Sequence, residues 1–132
     1  MILVDTSIWI SFFNKGISPQ AKKLKTLIEQ EEDICLVDLI LTEILQGIRD
    51  DRLFEKTKVL LLNFPVFKPE SIETYINAAK IYRQCRKQGS TVKTIDAIIA
   101  SIALENDLIV FHNEKDFDHI AKYTGLRIFK QL

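Results

Sequence analysis

"MILVDTSIWI", residues 1–10, opens with large aliphatic residues that run straight into Asp5. An unbroken apolar run of this length, without polar alternation, predicts a strand buried on both faces. Apolar residues resume in "SIWISFFN" (7–14), which predicts a short helix. Asp5 therefore stands at the carboxyl end of a buried strand. A carboxylate there is costly unless hydrogen bonds or positive charge meet it.

The same grammar recurs along the chain. "DICLVD" (33–38), "LIVFHN" (108–113) and "LRIF" (126–129) read as strands, and "PVFKP" (65–69), bracketed by prolines, as an edge strand. Between them lie helical patterns. Ser18-Pro19 supplies an N-cap and a first-turn proline for a helix whose stripe is Ala21, Leu24, Leu27 and Ile28. "LTEILQGIRDD" (41–51) predicts a helix ending near Gly47, and "RLFEKTKVLLLNF" (52–64) another. "ESIETYINAAKIYRQCRKQG" (70–89) repeats Ile72, Tyr75, Ile76, Ala79 and Tyr82 at helical spacing, with Gly89 as its stop. "TIDAIIASIALEND" (94–107) takes Thr94 as its expected cap, and "EKDFDHIAKY" (114–123) is a short helix. Strands alternating with helices predict a three-layer α/β/α domain with a mostly parallel central sheet. Such sheets take ligands beyond the carboxyl ends of their strands.

At 132 residues the chain suits one domain, 1–132, with a real core. The formal net charge is zero, so no global basic field draws in nucleic acid, and any attraction must be local or come from a bound metal. Cys35 lies in "ICLV" and Cys85 in "YRQCRKQG"; neither has metal-site spacing, and both read as small buried residues. No stretch reaches membrane-spanning length and no leader pattern opens the chain, so a cytoplasmic protein is expected.

The acids carry the chemistry. Asp5 ends the first strand, Glu43 lies early in the helix after the second, and Asp96 is in the first turn of its helix. Glu114 and Asp116 follow "LIVFH". Glu43 and Asp96 sit within otherwise apolar segments, "LILTEILQGI" and "TIDAIIASIA", so their faces are expected to point inward. Either acid alone is served equally by an interaction with a helix dipole or by a capping role. The set together argues for a shared rim. Carboxylates converging there repel one another unless a cation neutralises them. An all-oxygen donor set suits Mg²⁺ or Mn²⁺. The chemistry that follows is phosphodiester hydrolysis by metal-activated water, with one ion or with two held about 3.5–4 Å apart.

Four segments then resemble one family. "VDTSIWI" (4–10), "LTEILQG" (41–47), "TIDAIIASIA" (94–103) and "HNEKDFDHIA" (112–121) are similar, in this order, to PIN-domain ribonucleases, above all VapC-type toxins of toxin–antitoxin pairs. The resemblance implies an endoribonuclease dependent on Mg²⁺ or Mn²⁺, a homodimer, and a cognate VapB-like antitoxin that covers the acidic pocket. It carries over Asp5, Glu43 and Asp96 as metal ligands and Thr6 as a supporting hydroxyl. The family often has two aspartates one residue apart before a phenylalanine. Here the first is Glu114, one methylene longer, and the second is Asp116, so the fourth ligand is one or the other.

The remaining candidates are weaker. Arg83, Arg86, Lys87 and Lys93 precede the Asp96 helix and are candidate RNA contacts, against a solvated helix face as the plain alternative. Trp9, Phe12 and Phe13 read as core, not as stacking platforms for bases. His112 borders the acids, and His119 is expected on a solvated face. Three other classes remain open: a phosphatase or DNA nuclease with the same metal chemistry, a phospho-accepting signalling domain, and a non-catalytic binding module. Ser7 stands where an aspartyl-phosphate phosphatase wants its second aspartate, and Asp5 lacks the paired acid of a signalling receiver.

Overall fold

The computed structural model describes residues 1–130. Within them the elements run β1 (Ile2–Val4), α1 (Thr6–Asn14), α2 (Pro19–Glu29), β2 (Ile34–Val37), α3 (Asp38–Leu45), α4 (Asp51–Leu61) and β3 (Val66–Phe67). Then come α5 (Ile72–Lys87), α6 (Thr94–Glu105), β4 (Ile109–Phe111), α7 (Lys115–Tyr123) and β5 (Arg127–Ile128). The strands form one sheet in the order β3-β2-β1-β4-β5. All four pairings are parallel, so the expected "mostly parallel" sheet is parallel throughout the described residues.

That order dictates the layers. The chain winds outward from β1 through β2 to β3, then returns to β4 on the other side of β1. Right-handed crossovers then place α1–α4 on one face and α5–α7 on the other. The helix packing agrees: α1 packs on α2 and α3, and α3 on α4, while α5, α6 and α7 pack on one another. The strand order reverses between β1 and β4, which puts a crevice at their carboxyl ends.

The core fills both faces of the sheet. Leu3, Val4, Leu36, Val37 and Val110 are fully buried on the strands, and Ile8, Trp9, Ile40, Ile99, Ile102 and Phe117 close over them from the helices. Trp9 stacks on Phe13 and meets Phe12 and Phe64, so the aromatics after β1 are packed, as expected. Cys35 and Cys85 are buried thiols, and burial pushes Cys35 up to about 12.

Local signals mostly hold. The Ser18 hydroxyl accepts from Ala21 N at 3.0 Å and caps α2 behind Pro19. Gly89 takes φ +85° just past α5, a conformation that favours glycine. Two expectations are corrected. Thr94 is the first helical residue of α6 and not its cap; Lys93 holds the N-cap position, without a side-chain cap bond. His119 is half-buried and shares a hydrogen bond with Ser90 Oγ at 3.3 Å, so its face is packed on the α5–α6 connection, not free in solvent. No helix among the described residues is long and apolar enough to cross a membrane.

Candidate active site

The opening carboxylate has two roles at once. Asp5 leaves β1 in extended geometry and caps α1, its Oδ2 accepting from Ser7 N at 3.2 Å and from Ser7 Oγ at 2.9 Å. The Ser7 hydroxyl also accepts from Asn113 N at 3.1 Å, just beyond β4. One serine therefore ties the carboxyl ends of β1 and β4 together. Asp5 is only 3 % exposed. Burial pushes its pKa above the carboxylate range, against the Ser7 and Thr6 hydrogen bonds, and the Glu114 charge adds to the rise.

The next residue recruits the second acid. Thr6 Oγ1 donates to Glu43 Oε1 at 2.9 Å, joining α1 to the second half of α3; the helix already begins at Asp38, so Glu43 lies late in it and not early as expected. Burial also raises Glu43, which the Thr6 hydroxyl opposes and the charges of Asp5 and Glu114 reinforce. Asp96, in the first turn of α6, is 5 % exposed. Burial first, then the neighbouring Asp116 carboxyl and the charge of Asp5, push it up to about 7. Its buried Oδ2 accepts no hydrogen bond among the described residues.

Asp116 lies in the first turn of α7 and accepts from Lys93 N at 2.8 Å. Burial alone would raise it. The Lys93 N–H, Asp96 and the Lys93 ammonium outweigh that and hold it below the ordinary range. Glu114 precedes α7, half-buried. Lys93 Nζ reaches three acids: Asp116 Oδ2 at 3.2 Å, Asp96 Oδ2 at 3.4 Å and Glu114 Oε2 at 3.5 Å. Burial works against its charge, yet Asp116, Asp96 and Glu114 together lift its pKa above the lysine range.

Asp96, Glu114 and Asp116 thus share the Lys93 ammonium, and Asp5 and Glu43, anchored by Ser7 and Thr6, join them through one another's fields at the β1–β4 crevice. The Lys93 ammonium lies against three of these acids while its side chain stays 64 % exposed. Arg83, Arg86 and Lys87 are exposed on the last turns of α5, where Arg86 lies over the Tyr82 ring at 5.7 Å. His112 is oriented away from proton transfer at the acids: its Nδ1 accepts from Glu114 N at 2.9 Å and its Nε2 lies 3.2 Å from Asp118 Oδ1. Two participants escaped sequence reasoning, Ser7 and the position of Lys93. Asp5 at a helix start was a legible cap signal that pointed to Ser7 as its partner; the lysine carried none.

The PIN domain family matches residues 2–123. The chain belongs to the PIN-domain family. This PIN domain is 34% identical over 129 residues to ribonuclease VapC11 of Mycobacterium tuberculosis, covering 96% of each chain. Its fold is similar to VapBC-1 of nontypeable Haemophilus influenzae, with TM-score 0.77, 20% identity and 98% and 97% of the two chains covered. It is also similar to VapBC2 of Rickettsia felis bound to a promoter DNA fragment, with TM-score 0.76, 17% identity and 98% of each chain covered. The three-layer architecture of this PIN domain is that of these neighbours.

Divalent ions are the cofactor that such an acidic cluster raises. Among the described residues, no three His, Cys, Asp or Glu side chains stand so as to hold one ion in this conformation. In kind, however, the donors fit: all are carboxylate oxygens, and the buried Asp96 Oδ2 accepts no hydrogen bond among the described residues and has the Lys93 ammonium at 3.4 Å. Asp5, Glu43, Asp96 and Asp116, with Glu114 at the margin, are the residues that would hold it.

Proposed function

We propose that this PIN domain is a Mg²⁺- or Mn²⁺-dependent endoribonuclease, the toxin of a type II toxin–antitoxin pair, working in the cytoplasm. The observation that carries the reading is the gathering of Asp5, Glu43, Asp96 and Asp116, from four separate segments, at the crevice where the sheet order reverses. Its similarity to curated VapC ribonucleases supports RNA as the substrate. When bound, the ion supplies Lewis acidity toward water and phosphate.

The chain's own residues arrange the rest. Ser7 and Thr6 orient Asp5 and Glu43, and the Lys93 N–H orients Asp116, so the carboxylates are held before substrate arrives. Arg83, Arg86 and Lys87, exposed on the last turns of α5, offer positive charge to the RNA backbone. Glu43 lines a cleft of about 310 Å³ with the apolar side chains of Ile10, Phe13, Ile44, Ile48 and Leu53. Ile10 and Leu53 are exposed there. An antitoxin segment seated in that cleft would bury them beside Glu43; structural neighbours of this chain are VapBC assemblies, which supports an antitoxin as the partner.

The test is cleavage of structured RNA by the purified chain with Mn²⁺ and with chelator. Cleavage that requires Mn²⁺ and disappears in Asp5→Asn supports the reading. Metal-independent cleavage, or none with any RNA tried, refutes it; phosphate uptake from acetyl phosphate would point to a signalling domain instead. Arrest of growth by the chain alone, relieved by co-expressing a small protein encoded beside it, tests the toxin role.

A further inference from the structure

Lys93 is misplaced for a surface lysine. Its side chain is 64 % exposed, yet its ammonium lies within 3.5 Å of carboxylates from two helices and the turn between β4 and α7. The Asp96 contact alone would be an ordinary pair three residues apart on one helix. The contacts to Glu114 and Asp116, 21 and 23 positions away, are tertiary and make it a hub.

We propose that Lys93 is an internal counter-ion: it occupies the acidic crevice of the metal-free chain and must withdraw when a divalent ion enters, so the protein competes with its own metal. The proposal rests on reading the crevice as a metal site. Three features support it. The ammonium offers only one positive charge to a cluster of five carboxyl groups, so a doubly charged ion displaces it with a net gain in charge compensation. The lysine stem is long, rotatable and exposed, so withdrawal needs no change of backbone. The main chain stays behind: Lys93 N donates to Asp116 Oδ2 at 2.8 Å whatever the side chain does, leaving that carboxylate positioned for the incoming ion.

The experiment is Mn²⁺ binding by titration calorimetry on the full chain, with thermal melting of the metal-free and loaded forms. Lys93→Met keeps the stem and the N–H but removes the charge, and Lys93→Gln repeats the test with a polar end. Both variants are expected to bind Mn²⁺ about tenfold more tightly than wild type, a size set by losing several exposed ion pairs. The difference should shrink as salt rises, since exposed charge pairs are screened. Both should melt lower than wild type without metal and level with it when loaded. Equal or weaker Mn²⁺ binding in both variants overturns the proposal. Asp96→Asn in the same titration separates the two claims. If it loses Mn²⁺ while Lys93→Met matches wild type, only the counter-ion fails. If it binds as wild type does, the metal site fails and the proposal with it.

Discussion

Thr6 Oγ1 donates to Glu43 Oε1 at 2.9 Å, a bond between residues 37 positions apart that fixes α1 against α3 at the mouth of the crevice. Thr6 is buried, so its partner cannot be replaced freely by water. Thr6→Val keeps the shape and removes the donor. It is expected to cost about 0.5–1.5 kcal/mol of stability, the net worth of one such bond. RNA cleavage should fall further than melting does, because Glu43 is then free to turn. Thr6→Ser should restore both. Cleavage kinetics beside urea unfolding check it; unchanged cleavage in Thr6→Val would show that Glu43 needs no such anchor.

Ser7 is the second clamp. Its hydroxyl donates to Asp5 Oδ2 at 2.9 Å and accepts from Asn113 N at 3.1 Å. Ser7→Ala breaks both at once and leaves Asp5 with less support in a buried place. A loss of about 1–3 kcal/mol is expected, with weaker Mn²⁺ binding. Hydrogen exchange at the Asn113 amide gives a local readout: exchange should accelerate there well before β4 itself. Wild-type protection at Asn113 in the variant would exclude the bridge.

The metal-free protein should lose stability as pH rises from about 4 to about 7. Asp5, Glu43 and Asp96 all have raised pKa values, burial being the leading cause, and Asp96 reaches about 7 from an ordinary 3.8. A carboxyl raised in the folded chain keeps its proton where the unfolded chain has released it, so stability falls with pH across that window. Asp116 acts in the opposite sense: its pKa is lowered, so its contribution is present above pH 3.8 and lost as pH falls below that. Lys93, raised, contributes up to the ordinary lysine range near 10.5 and is lost only above it. Asp96→Asn should flatten the slope between pH 4 and 7 and stabilise the metal-free chain at neutral pH by about 1 kcal/mol or more. Denaturant midpoints in chelator across that range decide it. A stability that climbs steadily from pH 4 to 7 would contradict these shifts.

Trp9 distinguishes packing from base stacking. It is fully buried against Phe12, Phe13 and Phe64, and its Nε1 finds no acceptor among the described residues. Trp9→Phe removes that unpaired donor along with some apolar area, so the two effects offset and the change should stay within about 1 kcal/mol. Trp9→Ala should cost about 3–5 kcal/mol through the cavity it leaves. RNA affinity should follow folding alone in both variants. A Trp9→Phe chain that is fully stable but has lost RNA would reassign the ring to recognition.

Much of the fold was readable because it depends on near neighbours in the chain. The unbroken apolar runs before Asp5, Asp38 and His112 mark strands buried on both faces, and Ser18-Pro19 and Gly89 punctuate helices through backbone geometry that one or two residues impose. The acids were readable too, since Glu43 and Asp96 interrupt apolar stripes and so had to meet something inside. Thr94 misled because a hydroxyl at a helix start has two indistinguishable uses. The carboxylate partners of Lys93 were not legible, because an exposed lysine before a helix looks the same whether solvent or carboxylates lie opposite.

The sequence by itself determined which segments become strands and helices and which carboxylates lie at strand ends, because alternation, capping and burial are written in residues a few positions apart. Only the tertiary structure decided what those carboxylates touch. Ser7 meets Asn113 across 106 positions and Lys93 meets Asp116 across 23, pairings created when parallel strands bring distant turns to one edge. Local composition specifies each turn, but the through-space charge balance among them exists only once the sheet has closed.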